Sequence, residues 1–207
     1  MKYVHEFSQL IFPQRCIGCA ALGPTICSQC RLSWHPHVYK THVADLVVTS
    51  SVLYSPIAAR ILVAAKEGNQ SSADHLIIDA LDHILQNYLG NISNITFVPM
   101  PSSKSSQRVR GRNFMEYLCK ELNLSYSNIL FHQRRVRDQS GLNAKERKMN
   151  LVGAFGVEKI ARIYGDIVLI DDVVTTGSTL REARRALSAC GLKVSAAITA
   201  CVAQPLR

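Results

Sequence analysis

Two hydrophobic rhythms alternate along this chain, and they define its elements. Leu46 to Tyr54, Ile95 to Val98 and Val194 to Val202 are short, Val- and Ile-rich runs that read as strands. Ile167 to Ile170 is continuously apolar, as expected of a strand buried on both faces of a parallel sheet. Ser127 to Phe131 is a weaker strand candidate. Between these runs apolar residues recur at helical spacing. Ile57 to Glu67 is predicted to be a helix, with Ser55 as N-cap, Pro56 at the first helical position and Gly68 beyond its end. Asp74 to Tyr88 places Leu76, Ile77, Ala80, Leu81, Ile84 and Leu85 on one face. Asn113 to Leu122 and Leu180 to Cys190 complete the longer helices, the last capped by Thr179 and followed by Gly191. Asn143 and Glu146 resemble a capping box opening a short helix, and Phe155 anchors the end of that segment. Residues 1–10 are expected to form a short helix, and Asn91 to Asn94 a turn. Strands alternating with helices predict a doubly wound, mainly parallel α/β sheet.

The most informative stretch is Ile167-Val168-Leu169-Ile170-Asp171-Asp172-Val173-Val174-Thr175-Thr176-Gly177-Ser178-Thr179. An apolar strand runs into two adjacent carboxylates, placed at its carboxyl end, where ligands bind in open α/β sheets. A hydroxyl- and glycine-rich turn then opens a helix. Backbone N–H groups and hydroxyls at such a turn suit a phosphate. Asp171 and Asp172 can accept hydrogen bonds from a vicinal diol. Phosphate and diol together describe a ribose 5-phosphate site. The plain alternative is an ordinary strand–turn–helix with a surface acidic pair, which leaves two costly carboxylates unexplained.

Four of seven cysteines are patterned. Cys16 and Cys19, then Cys27 and Cys30, form two CxxC pairs separated by seven residues. This predicts a tetrahedral four-sulfur Zn2+ site, structural because no position stays open to water. A redox dithiol pair is the alternative. Gly18 and Gly23 are expected to permit tight turns around the metal, while His35 and His37 are expected to be solvated or packing residues. Cys119, Cys190 and Cys201 are expected to be buried.

The net charge is +9, which favours polyanionic partners or serves solubility alone. Its distribution suggests the former. Lys104, Arg108, Arg110 and Arg112 form one cluster; Arg134, Arg135, Arg137, Lys145, Arg147 and Lys148 form another. Both precede the acidic pair. No apolar run reaches transmembrane length and the N-terminus has no signal-peptide core, so the expected location is the cytoplasm, without membrane insertion.

The acidic-pair stretch resembles the phosphoribosyl pyrophosphate (PRPP) signature of type I phosphoribosyltransferases. Further segments extend the resemblance along nearly the whole chain. They are the cysteine pairs, Tyr54-Ser55-Pro56 before a helix carrying Lys66 and Gly68, and Val98-Pro99-Met100-Pro101. Arg108-Val109-Arg110-Gly111-Arg112-Asn113-Phe114, Arg134 to Leu142 and Glu146 to Phe155 follow. This order is similar to the ComF family of competence-associated, phosphoribosyltransferase-like proteins. Ser102-Ser103 and Arg112-Asn113-Phe114-Met115 depart from that family's usual pattern.

The resemblance implies a four-cysteine zinc module in residues 1–40 and a phosphoribosyltransferase-like domain in 41–207. It implies a PRPP site in which Asp171 and Asp172 hold the ribose hydroxyls, directly or through Mg2+, and Thr175, Thr176, Gly177, Ser178 and Thr179 hold the 5-phosphate. Pro99, Met100, Pro101 and Lys104 would face pyrophosphate, although these residues alone also fit a proline-rich loop with a solvated lysine. The implied role is the handling of single-stranded DNA in the cytoplasm during natural transformation. Uptake-channel and helicase components, at the inner-membrane surface, are the implied partners. The arginine and lysine clusters would contact phosphates, with Phe114, Tyr117 and Trp34 the candidates for base stacking. The alternative is an active phosphoribosyltransferase that passes the ribosyl group from PRPP to a nitrogenous acceptor. An adaptor whose zinc module docks a partner is compatible with either.

Overall fold

The computed structural model describes residues 13–68, 70–89, 94–102, 113–134, 144–158, 163 and 165–204. A single helical turn and a half, α1 (Ser28–Ser33), follows the second cysteine pair. Two antiparallel strands come next, β1 (Tyr39–Val43) and β2 (Leu46–Leu53). Helices α2 (Pro56–Glu67) and α3 (Ser71–Ile84) return the chain to β3 (Ile95–Pro99). After α4 (Phe114–Glu121), a two-stranded hairpin pairs β4 (Leu130–His132) with β5 (Phe155–Val157), and α5 (Ala144–Leu151) lies between them in sequence. The chain closes with β6 (Asp166–Val174), α6 (Ser178–Ala189) and β7 (Val194–Val202).

The main sheet has the order β1-β2-β7-β6-β3, with only β1 antiparallel. Its two faces bury separate cores. Ile61, Ile77, Leu81 and Leu118 from α2, α3 and α4 pack with Val168 and Ile170 on one face. Leu180, Ala183 and Leu187 from α6 pack with Ile167 and Leu169 on the other. The strictly alternating sides of β6 therefore face two apolar layers, which explains its uninterrupted hydrophobic run. The expected doubly wound architecture is the observed one.

Local signals account for several boundaries. Ser55 caps α2, its hydroxyl accepting the Ala58 N–H at 3.1 Å, and Pro56 occupies the first helical position. Gly191 takes the left-handed conformation beyond α6, with φ of 76°. Other boundaries differ from expectation. Gly68 has φ of −87° and ends α2 without a left-handed turn. Helix α3 starts three residues earlier than its apolar pattern and runs on as a π-helical segment, Leu85–Leu89. Strand β1 was absent from the periodicity because its residues, Tyr39-Lys40-Thr41-His42-Val43, are mostly polar; pairing with β2 makes it a strand. The expected helix in residues 1–10 and most of the expected Asn91–Asn94 turn lie outside the described residues.

The cysteine-bearing segment is tied to the sheet's helices. Trp34 is buried, and its indole N–H donates to the Leu76 carbonyl of α3 at 2.9 Å. Arg60 on α2 donates to the Gly18 carbonyl at 2.8 Å. His37 N–H donates to Ser51 O at 2.7 Å, continuing the contact into β2. Replacing Trp34 with Ala should destabilise the protein by about 3–5 kcal/mol in urea unfolding, through lost packing. Trp34→Phe should cost less but more than a surface change, because the indole donor is lost. Equal midpoints for wild type and Trp34→Ala would show that this joint bears no stability.

Candidate functional site

The chain leaves β3 toward α4 on one face of the sheet and leaves β6 toward α6 on the other. Connections that diverge in this way open a crevice between the two strand ends, and ligands of open α/β sheets bind in such crevices. Pro99 stands beside Ile170 in the β3–β6 register, and Met100 N–H donates to Ile170 O at 3.0 Å. The proline loop and the acidic pair are therefore neighbours across one strand spacing, about 4.8 Å. Sequence order had separated them by some seventy residues.

The acidic pair lies within the strand rather than past its end, because β6 continues to Val174 and Asp171 pairs with Thr199 of β7. The corrected placement matters. Asp171 and Asp172 are held by the sheet ladder, and their backbones cannot swing as loop residues would. Asp172 is buried, and the Lys66 ammonium at the end of α2 contacts its Oδ2. Lys66, named in the sequence only within the segment that carries the resemblance and given no role there, is thus a site residue. Asp171 Oδ1 accepts the Asp172 N–H at 2.9 Å. Burial, then the adjacent Asp172 charge, pushes the Asp171 carboxyl well above the usual carboxylate range, against the lowering effect of Lys66. Burial and the same aspartate push the nearby Cys201 thiol upward.

The turn after β6 is built for close approach. Gly177 has φ of 69°, and a Cβ there would meet Val43 Cγ2 of β1 at 2.4 Å. Glycine satisfies both demands. Helix α6 begins at Ser178, earlier than expected, and its N-cap is Gly177 rather than Thr179. Thr176 Oγ1 accepts the Ser178 N–H at 3.2 Å and donates to Ser178 Oγ at 2.9 Å. The first bond into the helix runs from Arg181 N–H to Gly177 O, at 2.9 Å. N–H groups ahead of it stand where a helix start receives an anion. The structure thus gathers Thr175 to Thr179, the acidic pair and Pro99 to Pro101 around one crevice. Lys104 lies outside the described residues.

Beyond β3 a second cleft, of about 350 Å³, opens toward the β4–β5 hairpin. Pro101, Ser102, Asn113, Asn128, His132 and Glu158 contribute to its walls. His132 Nε2 lies 3.0 Å from Pro101 O, and burial lowers its imidazole below the usual range despite that bond.

The four sequence-paired cysteines converge. Their sulfurs all lie within 4.8 Å of one another, and Cys19 and Cys27 are 3.8 Å apart. A tetrahedron with metal–sulfur bonds of about 2.3 Å has sulfur–sulfur edges of about 3.8 Å. The Cys27 N–H donates to Cys16 Sγ at 3.3 Å, an arrangement that suits a thiolate. Burial acts to raise Cys16, but amides of Cys27, Cys19 and Gly18 outweigh it and lower the thiol to about 6. Burial and the neighbouring cysteines push Cys30 upward. A cluster that already stabilises one thiolate fits a tetrahedral metal such as zinc. Gly18 serves by closeness rather than by a left-handed turn, since a Cβ would meet Cys30 Sγ at 2.7 Å. Ala20, with φ of 63°, makes the turn instead. His35 and His37 are exposed and not in the cluster.

The proposed basic surface is less visible. Arg134 is exposed, but its guanidinium donates to Asn150 O at 2.7 Å and Val152 O at 2.6 Å, closing the end of α5. Arg108, Arg110, Arg112, Arg135 and Arg137 lie outside the described residues, as do the side chains of Lys145, Arg147 and Lys148. Trp34 and Phe114 are buried in the core and unavailable for stacking. Cys119 and Cys201 are buried as expected, whereas Cys190 ends α6 in solvent and is exposed. Among the described residues, no helix is long and apolar enough to cross a membrane.

Comparison with known proteins adds sequence kinship to this geometry. The chain is 35% identical over 103 residues to Competence protein F of Haemophilus influenzae, covering 46% of this chain and 45% of that protein. It is 29% identical over 120 residues to Competence protein ComFC of Streptococcus pneumoniae, covering 58% and 54%. The chain is thus similar in sequence to two competence proteins over about half of its length. The matches span about half the length of these curated relatives. No family model matches the chain. Among solved structures, orotate phosphoribosyltransferase from Aeropyrum pernix is 16% identical, with a TM-score of 0.37 and coverage of 79% of this chain and 72% of that one. Adenine phosphoribosyltransferase from Trypanosoma brucei, solved with AMP, pyrophosphate and ribose-5-phosphate, is 12% identical, with a TM-score of 0.43 and coverage of 80% and 87%.

Two predictions follow from the acidic pair and the cysteines. Because the folded Asp171 carboxyl is raised, its stabilising contribution is complete below the unfolded value near 4 and is lost as pH climbs through the folded value. Ligand-free Asp171→Asn should therefore melt higher than wild type at pH 7, and the gap should close toward pH 4. A gap that widens in acid would reverse the assignment. Stripping zinc from the zinc-loaded protein with a chelator should shift the emission of Trp34, the only tryptophan, to longer wavelength, since its backbone N–H is bonded to Cys30 O at 3.0 Å. Metal release without a spectral change would mean that the module keeps its packing unaided.

Proposed function

We propose that this chain is a ComF-like competence protein that binds single-stranded DNA and carries a PRPP or ribose 5-phosphate site. The observation that carries the reading is the pair of half-buried Asp171 and buried Asp172 beside a glycine-capped helix start, at the crevice between β3 and β6. Its kinship to two proteins named for competence supports the biological role. The 5-phosphate is received by the Thr175–Thr179 turn, and the ribose hydroxyls by Asp171 and Asp172. Lys66 pairs with Asp172 in its buried position and leaves the carboxylate oxygens of the pair available as acceptors for the diol. Mg2+ entering with pyrophosphate supplies further charge neutralisation. Pro99 to Pro101 and Lys104 complete the pyrophosphate side. Zn2+ in the cysteine cluster is structural, and the module docks on α2 and α3.

The DNA strand is held by the arginine and lysine clusters that lie between Pro101 and Asp171 in sequence. Function is placed in the cytoplasm, at the inner-membrane surface, where helicase and channel components deliver and receive the strand. A second reading is supported by the cleft beside Pro101: an enzyme that transfers the ribosyl group of PRPP to a nitrogenous acceptor, by positioning and charge stabilisation.

Calorimetry with Mg2+·PRPP and anisotropy with a labelled oligonucleotide test the two halves separately. Asp171→Asn with Asp172→Asn should weaken PRPP at least about 100-fold, the scale of two charged hydrogen bonds. Reversing Arg135 and Arg137 should reduce the salt slope of oligonucleotide binding by about 1.4, for two phosphate contacts on a single strand. Arg134 is left intact because it closes α5. PRPP binding that survives the double asparagine change would sink the ribose phosphate site. An unchanged salt slope would remove the DNA contact from this segment.

A further inference from the structure

Lys66 stands where the pattern of α2 calls for an apolar residue. Ala58, Ile61, Leu62 and Ala65 are buried along the inner side of the helix, while Arg60, Val63 and Glu67 are exposed. Ala58, Leu62 and Lys66 follow one another at four-residue steps, so the lysine falls on the inner stripe. Its side chain is 31% exposed, and its ammonium contacts Asp172 Oδ2. A long stem laid over apolar surface with the charge at its tip is how lysine serves such a position. The four buried residues pin α2 to the sheet and hold the lysine over β6.

Charge, more than a directed bond, is what Lys66 brings to the pair. Asp172 is only 3% exposed. Among the described residues its Oδ2 receives no well-aligned hydrogen bond, although the ammonium lies against it. The same ammonium acts on Asp171, where it opposes the effects of burial and of the Asp172 charge. One cation thus serves both carboxyls.

Hydroxyls and divalent cations make opposite demands on such a pair. A divalent ion is held through the negative charge of its oxygen ligands, and Mg2+ sheds its waters reluctantly. At Asp172 it would meet a buried oxygen already covered by an ammonium, with a like charge a few ångströms away. A hydroxyl brings no net charge and can donate to a carboxylate while accepting from the ammonium. The two aspartates alone leave open whether they meet ribose hydroxyls directly or through Mg2+. With Lys66 in place, the residues present do not fit a metal ion bound directly to the pair.

We infer that Lys66 is the selectivity residue of the acidic pair: it closes the pair to free divalent cations and keeps it for the vicinal hydroxyls of a ligand. The inference deepens the proposed function and rests on its placing a diol at Asp171 and Asp172. Any Mg2+ then arrives on the diphosphate of the ligand and stays on the ligand's side. Lys66 acts through Asp172, as a positioning residue. A lysine that only fills the inner stripe of α2 would leave metal affinity unchanged when replaced.

Electron paramagnetic resonance tests this on the zinc-loaded full chain without PRPP, with Mn2+ as the probe, because its free-ion signal is lost on binding. Lys66→Met should bind one Mn2+ at least about tenfold more tightly than wild type, the least expected from removing a unit charge a few ångströms away. Adding Asp172→Asn to Lys66→Met should abolish that gain. Lys66→Arg, which keeps the charge, should bind Mn2+ no more tightly than wild type. Equal affinities in wild type and Lys66→Met overturn the inference. So does a gain that survives Asp172→Asn, or one that Lys66→Arg shares. Should Lys66→Met fail to fold, Lys66→Gln is read in the same way. Asp172→Asn in otherwise wild-type protein gives an independent answer. Unchanged Mn2+ binding there supports the inference, and its loss shows that the pair takes the ion despite the lysine and overturns it. Calorimetry with PRPP on wild type keeps the two readings apart. PRPP binding without the Mn2+ gain removes the role of Lys66 and leaves the ribose phosphate site. The gain without PRPP binding keeps the exclusion of metal and removes the diol.

Discussion

Two carboxylates in a strand buried on both faces are the constraint around which this protein is arranged. Asp171 and Asp172 belong to a ladder that runs on to Val174, so they cannot turn away from the layer that buries them. Removing an ionised carboxylate from water costs several kcal/mol unless a partner compensates. Lys66 compensates one of them from the end of α2, and the other is pushed toward its neutral form. A ligand that offers hydroxyls would complete the compensation.

Helix α2 connects this pair to the cysteine cluster. Near its start, Ile57 is within reach of a Cβ built on Gly18, and Arg60 bonds the Gly18 carbonyl. At its end Lys66 meets Asp172. About ten residues of helix, near 15 Å, thus span from the sulfur cluster to the acidic pair. The cysteine segment acts as a brace for the helix that carries the site's lysine. Its four sulfurs leave no position for catalysis, in keeping with that structural part.

On the opposite side of the crevice the site is shaped by close approach rather than by charge. Gly177 admits Val43 beneath the turn after β6, and Gly156 admits the ring of Phe131 over the hairpin. Each glycine is needed because a side chain from another strand occupies the space of its missing Cβ. Polar β1 earns its place in the same way: Val43 supports the turn, and the Asp45–Arg184 ion pair fastens the β1–β2 corner to α6.

Much of this was legible in the sequence because it depended on local order. The apolar run of β6, the Ser55–Pro56 start of α2 and the two CxxC pairs are short-range patterns, and each declares its chemistry through neighbours in the chain. The continuation of β6 through the acidic pair was not legible, since the ladder with β7 decides it against two residues of poor strand propensity. Nor was the capping failure of Asn113 or the true N-cap of α6. Sequence by itself determined the sheet class, the membership of the four-cysteine cluster and the hydroxyl- and glycine-rich turn that opens α6. Tertiary structure alone decided that Lys66 reaches Asp172 and that Pro99 borders the pair. It also decided that Phe131 and Asn113 share a cleft. These contacts join residues distant in sequence, and only the packing of the layers sets the distances between them.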